Sequence, residues 1–356
     1  MTKKERRAVA ELIDVLPGHR FDEKKLWRYL RKYLEDFGVP PTVNQFQGGQ
    51  SNPTYLISTP ARKYVLRKQP SGKLLPSAHA MDREFRVQSA LKGTPIPVVP
   101  MQLFCDDLSV IGTPFYLMDY IPGRIFDRPD LPTLSTLQRK AAYRAFAETL
   151  AALHEVDFEA IGLSGYGRTE GYAARQLKRW SEQYESSKTC QIEAMDKLIA
   201  WLKASVPSRD EASITHGDYR MNNVMFELTA PHIIAVLDWE LSTLGHPLAD
   251  LGYVCMAYRT PSEVPFLGGL RGLDLAALGI PTEDELVGMY CHRAGRDSVP
   301  DLTFFIALSF FRFASIAQGV YARSLQGNAA DRRAPLAEQA AIALAQEGWR
   351  IAEDAG

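Results

Sequence analysis

The chain has 356 residues, of which 46% are hydrophobic and 23% charged, and its formal net charge at pH 7 is −1. This composition is typical of a soluble globular protein with enough length for two hydrophobic cores. The balanced charge argues against nucleic-acid binding, because nucleic-acid-binding proteins usually expose a basic surface.

Short strand patterns dominate the first third of the sequence. They flank one helical pattern that ends before Gly93, and this order predicts a small α/β lobe over residues 1–119. A helical extension is predicted over about residues 1–38 of that lobe. The predicted elements are strands at 43–46, 53–58 and 63–69, a helix at 78–91, and strands near 99–104 and 114–119.

Helical patterns dominate the rest of the chain, and the clearest one covers residues 137–156. Residues 125–356 are therefore predicted to form a mainly helical C-terminal lobe. Residues 120–124 join the two regimes and are the predicted hinge. A cleft between two lobes is the default location for a ligand.

One helical segment also has the composition of a membrane span. Residues 302–320 are almost wholly apolar, but Arg312 stands in the middle of them. Because a charged side chain at the centre of a bilayer costs several kcal/mol, this segment is predicted to be a buried core helix. No membrane association is expected.

Residues 214–240, ITHGDYRMNNVMFELTAPHIIAVLDWE, hold the most informative pattern. Two short apolar runs flank a Thr-Ala-Pro segment and predict a β-hairpin. With a four-residue loop at 229–232, Asn223 would lie directly opposite Asp238, at about 4.5 to 5.5 Å. An amide oxygen and a carboxylate at that separation can share one Mg²⁺ ion, which prefers oxygen ligands.

Asp218 lies five residues before Asn223. The same step separates the catalytic Asp from the metal-binding Asn in the protein-kinase loop H-R-D-x-x-x-x-N. Asp218 is therefore a candidate base for an acceptor hydroxyl. The alternative is that Asp218 and Asn223 are turn formers and Asp238 caps a strand end, but the combined spacing favours a phosphoryl-transfer site.

Other site chemistries lack their sequence patterns. The chain has neither the G-x-S-x-G motif of serine hydrolases nor the G-x-x-x-x-G-K-[ST] motif of P-loop enzymes. His154 lies on the predicted helix at core spacing and is interpreted as an interior histidine. The cysteines lack paired spacing, and no apolar stretch follows the basic residues 3–7, so reduced thiols and a cytoplasmic protein are expected. The cysteines are Cys105, Cys190, Cys255 and Cys291.

Four segments, GGQSNPTYLI, YVLRKQP, HGDYRMNNVMF and VLDWELSTLGHPLADLGY, resemble the aminoglycoside phosphotransferase family, which includes choline kinases. The resemblance spans nearly the whole chain and is greatest to the kinase domain associated with certain acyl-CoA dehydrogenases. It implies an α+β, bilobal protein-kinase-like fold with a small β-sheet-plus-helix N-lobe and a larger, mainly helical C-lobe. It also implies phosphoryl transfer from ATP with Mg²⁺, and a functional link to an acyl-CoA dehydrogenase.

The resemblance assigns roles to the residues of the catalytic segment. It implies that Asp218 is the catalytic base, that Asn223 and Asp238 are magnesium ligands, and that His216 supports the catalytic loop. Asp250 precedes an apolar helix and is interpreted as its cap, with a functional role as the alternative.

A second group of residues is predicted to bind the nucleotide. Gly48 and Gly49 occupy the position of a glycine-rich loop, where backbone N–H groups could approach the phosphates. Strand alternation sets Arg67 apart from Lys68, and Arg67 aligns with the phosphate-binding Lys of V-A-I-K, with Glu84 as its partner. Backbone groups at the hinge would contact adenine. The full prediction is Gly48, Gly49, Ser51, Asn52, Arg67, Glu84, Asp119 and Ile121.

The acceptor is predicted to be a small hydroxyl compound. It is predicted to be anionic, because the segment from Tyr166 to Lys188 is mildly basic and would attract negative charge. The resemblance suggests a hydroxy acid or its CoA thioester, with Arg175, Arg179 or Arg312 as contacts. An aminoglycoside kinase and a nucleotide-binding pseudokinase or scaffold are the alternatives. Protein kinase activity is disfavoured because D-F-G and A-P-E segments are absent.

Overall fold

The computed structural model describes residues 11–47, 52–70, 80–262, 268–325 and 336–355. Its strands are β1 (Leu12–Ile13), β2 (Thr42–Phe46), β3 (Thr54–Ser58), β4 (Lys63–Lys68), β5 (Met101–Cys105), β6 (Phe115–Asp119), β7 (Ser213–Thr215), β8 (Val224–Phe226), β9 (Ile233–Val236) and β10 (Thr243–Gly245). Its helices are α1 (Glu23–Leu30), α2 (Met81–Leu91), α3 (Leu108–Ile111), α4 (Thr136–Glu155), α5 (Tyr172–Ser187), α6 (Glu193–Ala204), α7 (Pro247–Arg259), α8 (Leu275–Leu278), α9 (Glu283–Arg293), α10 (Leu302–Leu325) and α11 (Ala337–Glu353).

The chain divides into two compact units, each described by itself. The first contains the large sheet and the second is mainly helical, so the predicted α+β class is confirmed. The lobe bounds that were predicted from the sequence remain a prediction. The first unit comprises Met1–Phe126, Glu159–Leu163 and Asn222–Ser242, and the second comprises Asp127–Phe158, Ser164–Met221 and Thr243–Gly356.

A six-stranded antiparallel sheet in the order β1-β2-β3-β4-β6-β5 forms the centre of the first unit. Strands β2 to β6 match the predicted ones to within two residues at each end. Strand β1 was not predicted, because it lies in the segment for which a helical extension was expected. One face packs against α1, where Leu26 and Leu30 are fully buried with Tyr64 and Leu66 of β4. Because side chains alternate along a strand, Arg67 belongs to the opposite face from Leu66. This is the alternation that the sequence predicted.

Helix α2 and the β8–β9 hairpin also belong to the first unit. Glu84 of α2 is fully buried, and carboxylates are almost never buried in this way unless they have partners. The hairpin is joined to the preceding chain by backbone hydrogen bonds, in which the Val236 N–H donates to the Pro97 carbonyl at 2.8 Å and the Arg124 N–H donates to the Phe226 carbonyl at 2.7 Å.

Helix α10 is the central helix of the second unit and packs against α5, α6, α7 and α11. Its length of 24 residues and the mean hydropathy of 1.4 in its most apolar 18-residue window would suit a membrane crossing, but 67% of that window is buried within the protein. It is therefore a buried core helix, as the sequence predicted. Gly348 of α11 permits the close approach of that helix to α6, because a Cβ there would lie 2.7 Å from a methyl group of Leu198 on α6.

The two-stranded sheet of β7 and β10 was not predicted. It pairs Thr215 with Thr243 and Ser213 with Gly245. Strand β7 leads directly into His216, and β10 leads into α7, which packs back against β7. Gly245 is required here, because a Cβ would lie 2.5 Å from the Tyr172 ring. The short sheet thus positions the loop after β7 beside the first turns of α7.

Candidate active site

The loop after β7 is anchored by Asp250, which lies one turn inside α7. Its two carboxylate oxygens accept the backbone N–H groups of His216 at 2.6 Å and Gly217 at 2.8 Å. Gly217 has a φ of +79°, a conformation that favours glycine. The cap of α7 is instead His246, whose Nδ1 accepts the Leu248 N–H at 3.2 Å. The predicted helix-capping role of Asp250 is therefore wrong, because its carboxylate is turned towards the loop.

Asp250 is held in turn by a buried histidine. The Nε2 atom of His154 lies 3.4 Å from Asp250, and its Nδ1 atom lies 2.8 Å from the Tyr290 hydroxyl. Burial alone would raise the pKa of Asp250, but hydrogen bonds from His154 and the His216 backbone lower that pKa below its usual value. The interpretation of His154 as a satisfied interior histidine is confirmed.

Asp218 is contacted on both carboxylate oxygens. The Tyr253 hydroxyl donates to Oδ1 at 2.8 Å, and the Arg220 Nε lies 3.4 Å from Oδ2. The Asp218 backbone N–H donates to Nδ1 of the fully buried His216 at 3.3 Å. His216 thus contacts the loop after β7 from inside the protein, and its supporting role stays a prediction.

Arg312 of α10 holds the same loop from another side. Its guanidinium donates to the Gly217 carbonyl at 3.0 Å and lies 5.5 Å from the Trp180 ring centre and 5.7 Å from that of Phe313. Of the predicted acceptor arginines, Arg312 is therefore the one that touches the loop of Asp218. Arg175 of α5 instead donates to the Arg168 carbonyl, which precedes that helix, at 2.9 Å.

Arg179 also lies on α5. Its guanidinium is 5.4 Å from the centre of the Trp180 ring. Trp180 is thus contacted by two arginines, Arg179 and Arg312. Guanidinium groups bind aromatic faces readily, and desolvation strengthens that attraction.

In the first unit, the hairpin register differs from the prediction by one residue. Val224 pairs with Val236, and the Leu237 N–H donates to the Asn223 carbonyl at 2.8 Å. Asn223 is therefore opposite Leu237 and not opposite Asp238. The turn lies one residue earlier than predicted, because the Glu227 N–H already donates to the His232 carbonyl at 2.8 Å. This change alone would shift the pairing by two residues, and a bulge opposite Met225 and Phe226, with one extra residue in β9, reduces the shift to one.

Asp238 follows β9 in a left-handed conformation, with φ +63° and ψ +61°. This conformation is uncommon for residues other than glycine and is often stabilised at functional sites. It turns the chain after β9 directly into the short 3-10 turn Trp239–Leu241. Asn223 ends the 3-10 turn Met221–Asn223 just before β8 and is buried.

Three carboxylates of the first unit surround the guanidinium of Arg67. Its Nη2 atom lies 2.6 Å from Asp238 and 3.9 Å from Glu240, and its Nε lies 3.6 Å from Glu84. The predicted partner Glu84 is thus confirmed as an ion pair, but Asp238 is closer. The buried Asn52 amide donates to Glu240 at 3.1 Å and to Glu84 at 3.4 Å, so it bridges the two carboxylates.

Burial raises the pKa of Glu84 to about 7, even though the charge of Arg67 and a hydrogen bond from the Tyr116 hydroxyl both lower it. The Tyr116 hydroxyl lies 2.9 Å from Glu84. Desolvation therefore outweighs the nearby cation at this position. Glu84 titrates near neutral pH, which makes the charge of the Arg67 cluster dependent on pH.

The donor set of the hairpin fits a hard divalent cation. Asp238 supplies a carboxylate that is 31% exposed, and Asn223 supplies an amide oxygen at the same open end of the hairpin. Oxygen donors of these two kinds suit Mg²⁺. Three carboxylates around a single guanidinium also give this part of the unit an excess of negative charge, which attracts cations.

The remaining predicted nucleotide residues divide into two sets. Asp119 ends β6, and its carboxylate accepts from Arg62 at 3.0 Å and from Gln102 at 2.9 Å, while its backbone N–H donates to the Pro100 carbonyl. Ile121 follows two residues later outside any strand. Gly48, Gly49 and Ser51 lie outside the described residues.

Several residues at these sites were missed by sequence reasoning. Tyr253 follows Asp250 by three residues, a helical spacing that would have shown both on one face of α7. Arg220 and Glu240 stand two residues after Asp218 and Asp238, where only proximity in the chain hinted at a role. Trp180 had no sequence signal.

The protein-family comparison matches residues 42–286 to the APH model, described as a phosphotransferase enzyme family. Acyl-CoA dehydrogenase family member 11 of Mus musculus is 43% identical over 351 residues, which cover 97% of this chain and 45% of that protein. The chain thus spans under half the length of the mouse relatives that it matches.

Solved structures agree with this match. A Ralstonia eutropha protein provisionally named an aminoglycoside phosphotransferase is 44% identical, with a TM-score of 0.86 over 94% of this chain and 99% of that one. A mutant aminoglycoside phosphotransferase in complex with ADP and hygromycin B shares the fold at 17% identity, with a TM-score of 0.59 over 92% of this chain and 98% of that one. The fold is therefore protein-kinase-like, the enzyme transfers a phosphoryl group to a hydroxyl of a small molecule, and the chain belongs to the APH phosphotransferase family.

Proposed function

We propose that the enzyme transfers the γ-phosphoryl group of ATP, with Mg²⁺, to the hydroxyl of a small anionic acceptor. The observation that carries this proposal is the arrangement at Asp218. A carboxylate with both oxygens contacted, on a loop fixed by Asp250 and Arg312, is suited to orient a hydroxyl. The family supplies the reaction class.

Asp218 is the proposed catalytic base. It accepts the proton of the acceptor hydroxyl while the acceptor oxygen bonds to the γ-phosphorus and ADP leaves. Phosphoryl transfer depends mainly on positioning and on charge stabilisation, so a fixed carboxylate contributes mostly by aligning the nucleophile. His216 supports the loop by accepting the Asp218 N–H.

The nucleotide side rests on the first unit. Arg67 is the proposed phosphate contact, because a guanidinium can bind phosphate oxygens in a bidentate manner. Asn223 and Asp238 are the proposed Mg²⁺ ligands, and Mg²⁺ neutralises charge on the phosphates when it is bound. The ADP complex of a distant fold neighbour supports an adenine nucleotide. Gly48, Gly49, Ser51 and Asn52 keep their proposed role near the phosphates, and Asp119 and Ile121 keep theirs near adenine.

The anionic character of the acceptor is supported by Arg312. None of the ion pairs among the described residues includes Arg312, and its buried Nε atom has no hydrogen-bond partner there. A partly buried guanidinium without a counter-charge is unfavourable, and an acceptor carboxylate or phosphate would compensate it. Arg175 and Arg179 are further candidate contacts on α5.

A hydroxy acid or its CoA thioester is the proposed acceptor. The mouse relative carries the name of an acyl-CoA dehydrogenase, and this chain corresponds to under half of that protein. A kinase joined to such a dehydrogenase would act on related acyl compounds. We therefore also propose a functional link between this chain and an acyl-CoA dehydrogenase.

A screen of hydroxylated compounds tests this proposal. Hydroxy acids, hydroxyacyl-CoAs and aminoglycosides are each incubated with Mg-ATP, and product phosphate is followed by mass spectrometry with Asp218→Ala as the blank. Phosphorylation of an anionic acceptor is the expected result. Transfer to aminoglycosides alone would favour an antibiotic kinase, and nucleotide binding without any transfer would favour a pseudokinase or scaffold.

A further inference from the structure

Helix α7 contacts both the backbone and the side chain of the catalytic loop. Asp250 holds two backbone N–H groups of the loop, and Tyr253, three residues later, donates its hydroxyl to Asp218 Oδ1 at 2.8 Å. Residues three apart lie on the same face of a helix. One rigid element thus fixes where the loop runs and how its carboxylate is turned.

The Tyr253 ring is itself immobilised. It is 7% exposed and stacks on Phe313 of α10 with ring centres 5.1 Å apart and an interplanar angle of 14°. The close approach of α7 to α10 depends on Gly252, because a Cβ there would lie 2.6 Å from the Phe305 backbone carbon. Burial and the nearby Asp218 charge raise the pKa of Tyr253, so its hydroxyl stays a neutral donor.

The two oxygens of Asp218 have different surroundings. Oδ1 receives the buried Tyr253 hydroxyl, whereas Oδ2 lies 3.4 Å from the Nε atom of Arg220, a side chain that is 39% exposed. Because Oδ1 already accepts the Tyr253 hydroxyl, the acceptor hydroxyl is assigned to Oδ2. The hydrogen bond at Oδ1 fixes the rotation of the carboxylate and therefore the direction of Oδ2.

We propose that Tyr253 is a positioning residue for the catalytic base, an inference that rests on the proposed function. By holding Oδ1, Tyr253 presents Oδ2 to the acceptor. Oδ2 takes the hydroxyl proton, the acceptor oxygen forms its bond to the γ-phosphorus, and the bond from that phosphorus to the bridging oxygen breaks, so that ADP leaves with the electron pair.

The matched pair of variants is Tyr253→Phe and Tyr258→Phe. Tyr258 lies on the same helix, and its buried hydroxyl has no hydrogen-bond partner among the residues that the structure describes. Both changes remove one hydroxyl oxygen from a tyrosine of α7. Only the first removes a contact to Asp218, so a difference between the variants reports that contact.

The kinetic test measures kcat, both KM values and the melting temperature of each variant. Loss of alignment should lower kcat in Tyr253→Phe about 10- to 100-fold and leave the KM for ATP unchanged. Tyr258→Phe should stay within twofold of the natural enzyme in kcat. In an Asp218→Asn background the Tyr253 change should have no further effect, because two residues that act as a unit are not additive. A kcat of Tyr253→Phe within twofold of the natural enzyme, or full additivity, would overturn the proposal.

A spectroscopic test separates this inference from the proposed function. The infrared carboxylate band of Asp218 is identified by its loss in Asp218→Asn, and it should shift in Tyr253→Phe but not in Tyr258→Phe. An unshifted band overturns the positioning role whatever the enzyme transfers. A shifted band in an enzyme that phosphorylates no hydroxyl compound overturns the proposed function and leaves the Tyr253 contact to Asp218 intact.

Discussion

The two units hold their predicted functional residues by different means. In the first unit, Arg67 is held by opposite charges from Asp238, Glu84 and Glu240. In the second, Asp218 is held by a neutral tyrosine on a loop whose backbone is fixed by Asp250. A charge cluster responds to pH and to bound ions, whereas a hydrogen-bonded loop fixes direction. The difference agrees with the proposed roles, in which the first unit binds a charged nucleotide and the second aligns a hydroxyl.

Removing the anchor of the second unit should have the largest effect on stability. Asp250→Ala leaves the backbone N–H groups of His216 and Gly217 buried without an acceptor, and the expected loss is about 4 kcal/mol of unfolding free energy. Urea unfolding of both proteins measures this loss. Asp284→Ala, at an exposed carboxylate in the first turn of α9, should change stability by less than about 1 kcal/mol.

The Asp250 effect also has a defined pH dependence. The pKa of Asp250 is lowered on folding, so its contribution is complete above its ordinary value of 3.8 and is lost as pH falls through the lower folded value. The natural protein and Asp250→Ala should therefore converge in stability at strongly acidic pH. A gap that widens on acidification would contradict the role of an ionised Asp250.

Glu84→Gln should expose the pH sensitivity of the first unit. Because burial raises the pKa of Glu84 to about 7, its neutral form stabilises the fold below pH 4.5, and that stability is lost as pH rises through about 7. Between pH 4.5 and 7 the unfolding free energy of the natural protein should fall by on the order of 3 kcal/mol relative to that of Glu84→Gln. Unfolding free energies measured between pH 4.5 and 8 test this, with Glu193→Gln, at a side chain that is 80% exposed, as the control. Parallel curves for the natural protein and Glu84→Gln would contradict it.

Arg312→Gln should have a smaller effect that is confined to the acceptor. The amide can still donate to the Gly217 carbonyl but lacks the positive charge, so the KM for an anionic acceptor should rise about 10-fold while the KM for ATP stays constant. Steady-state kinetics with varied acceptor measure it. Arg323→Gln, at an exposed position near the end of the same helix, should change neither value. Equal increases in both KM values would instead show that Arg312 only supports the loop.

Much of the fold could be predicted from the sequence, because local patterns of apolar and polar residues determine the strands and helices. Strand alternation correctly separated Arg67 from Leu66, and the apolar window with Arg312 at its centre correctly indicated a buried helix. Local spacing was less reliable across strands. The predicted hairpin register was wrong by one residue, because the turn begins one residue earlier than predicted and a bulge beside Phe226 offsets only part of that shift.

The candidate site was predicted where residues lie close in the chain or where the family resemblance paired them, as it did for Arg67 and Glu84. Asp218 and Asn223 are five residues apart, and their spacing was visible. The contacts of Asp250 with His216 and of Tyr253 with Asp218 join residues more than thirty positions apart in the chain. They depend on the pairing of β7 with β10, which no sequence pattern predicted. Residues that hold a catalytic group by long-range contacts are therefore the part that sequence reasoning missed.

The most direct test of the proposed mechanism compares Asp218→Asn with the natural enzyme, using the acceptor found in the screen. The measured quantities are kcat for phosphoryl transfer and the dissociation constant of Mg-ATP. The proposed role of Asp218 predicts a kcat lower by about 1000-fold with an unchanged dissociation constant. Full turnover by Asp218→Asn with the true acceptor would contradict it.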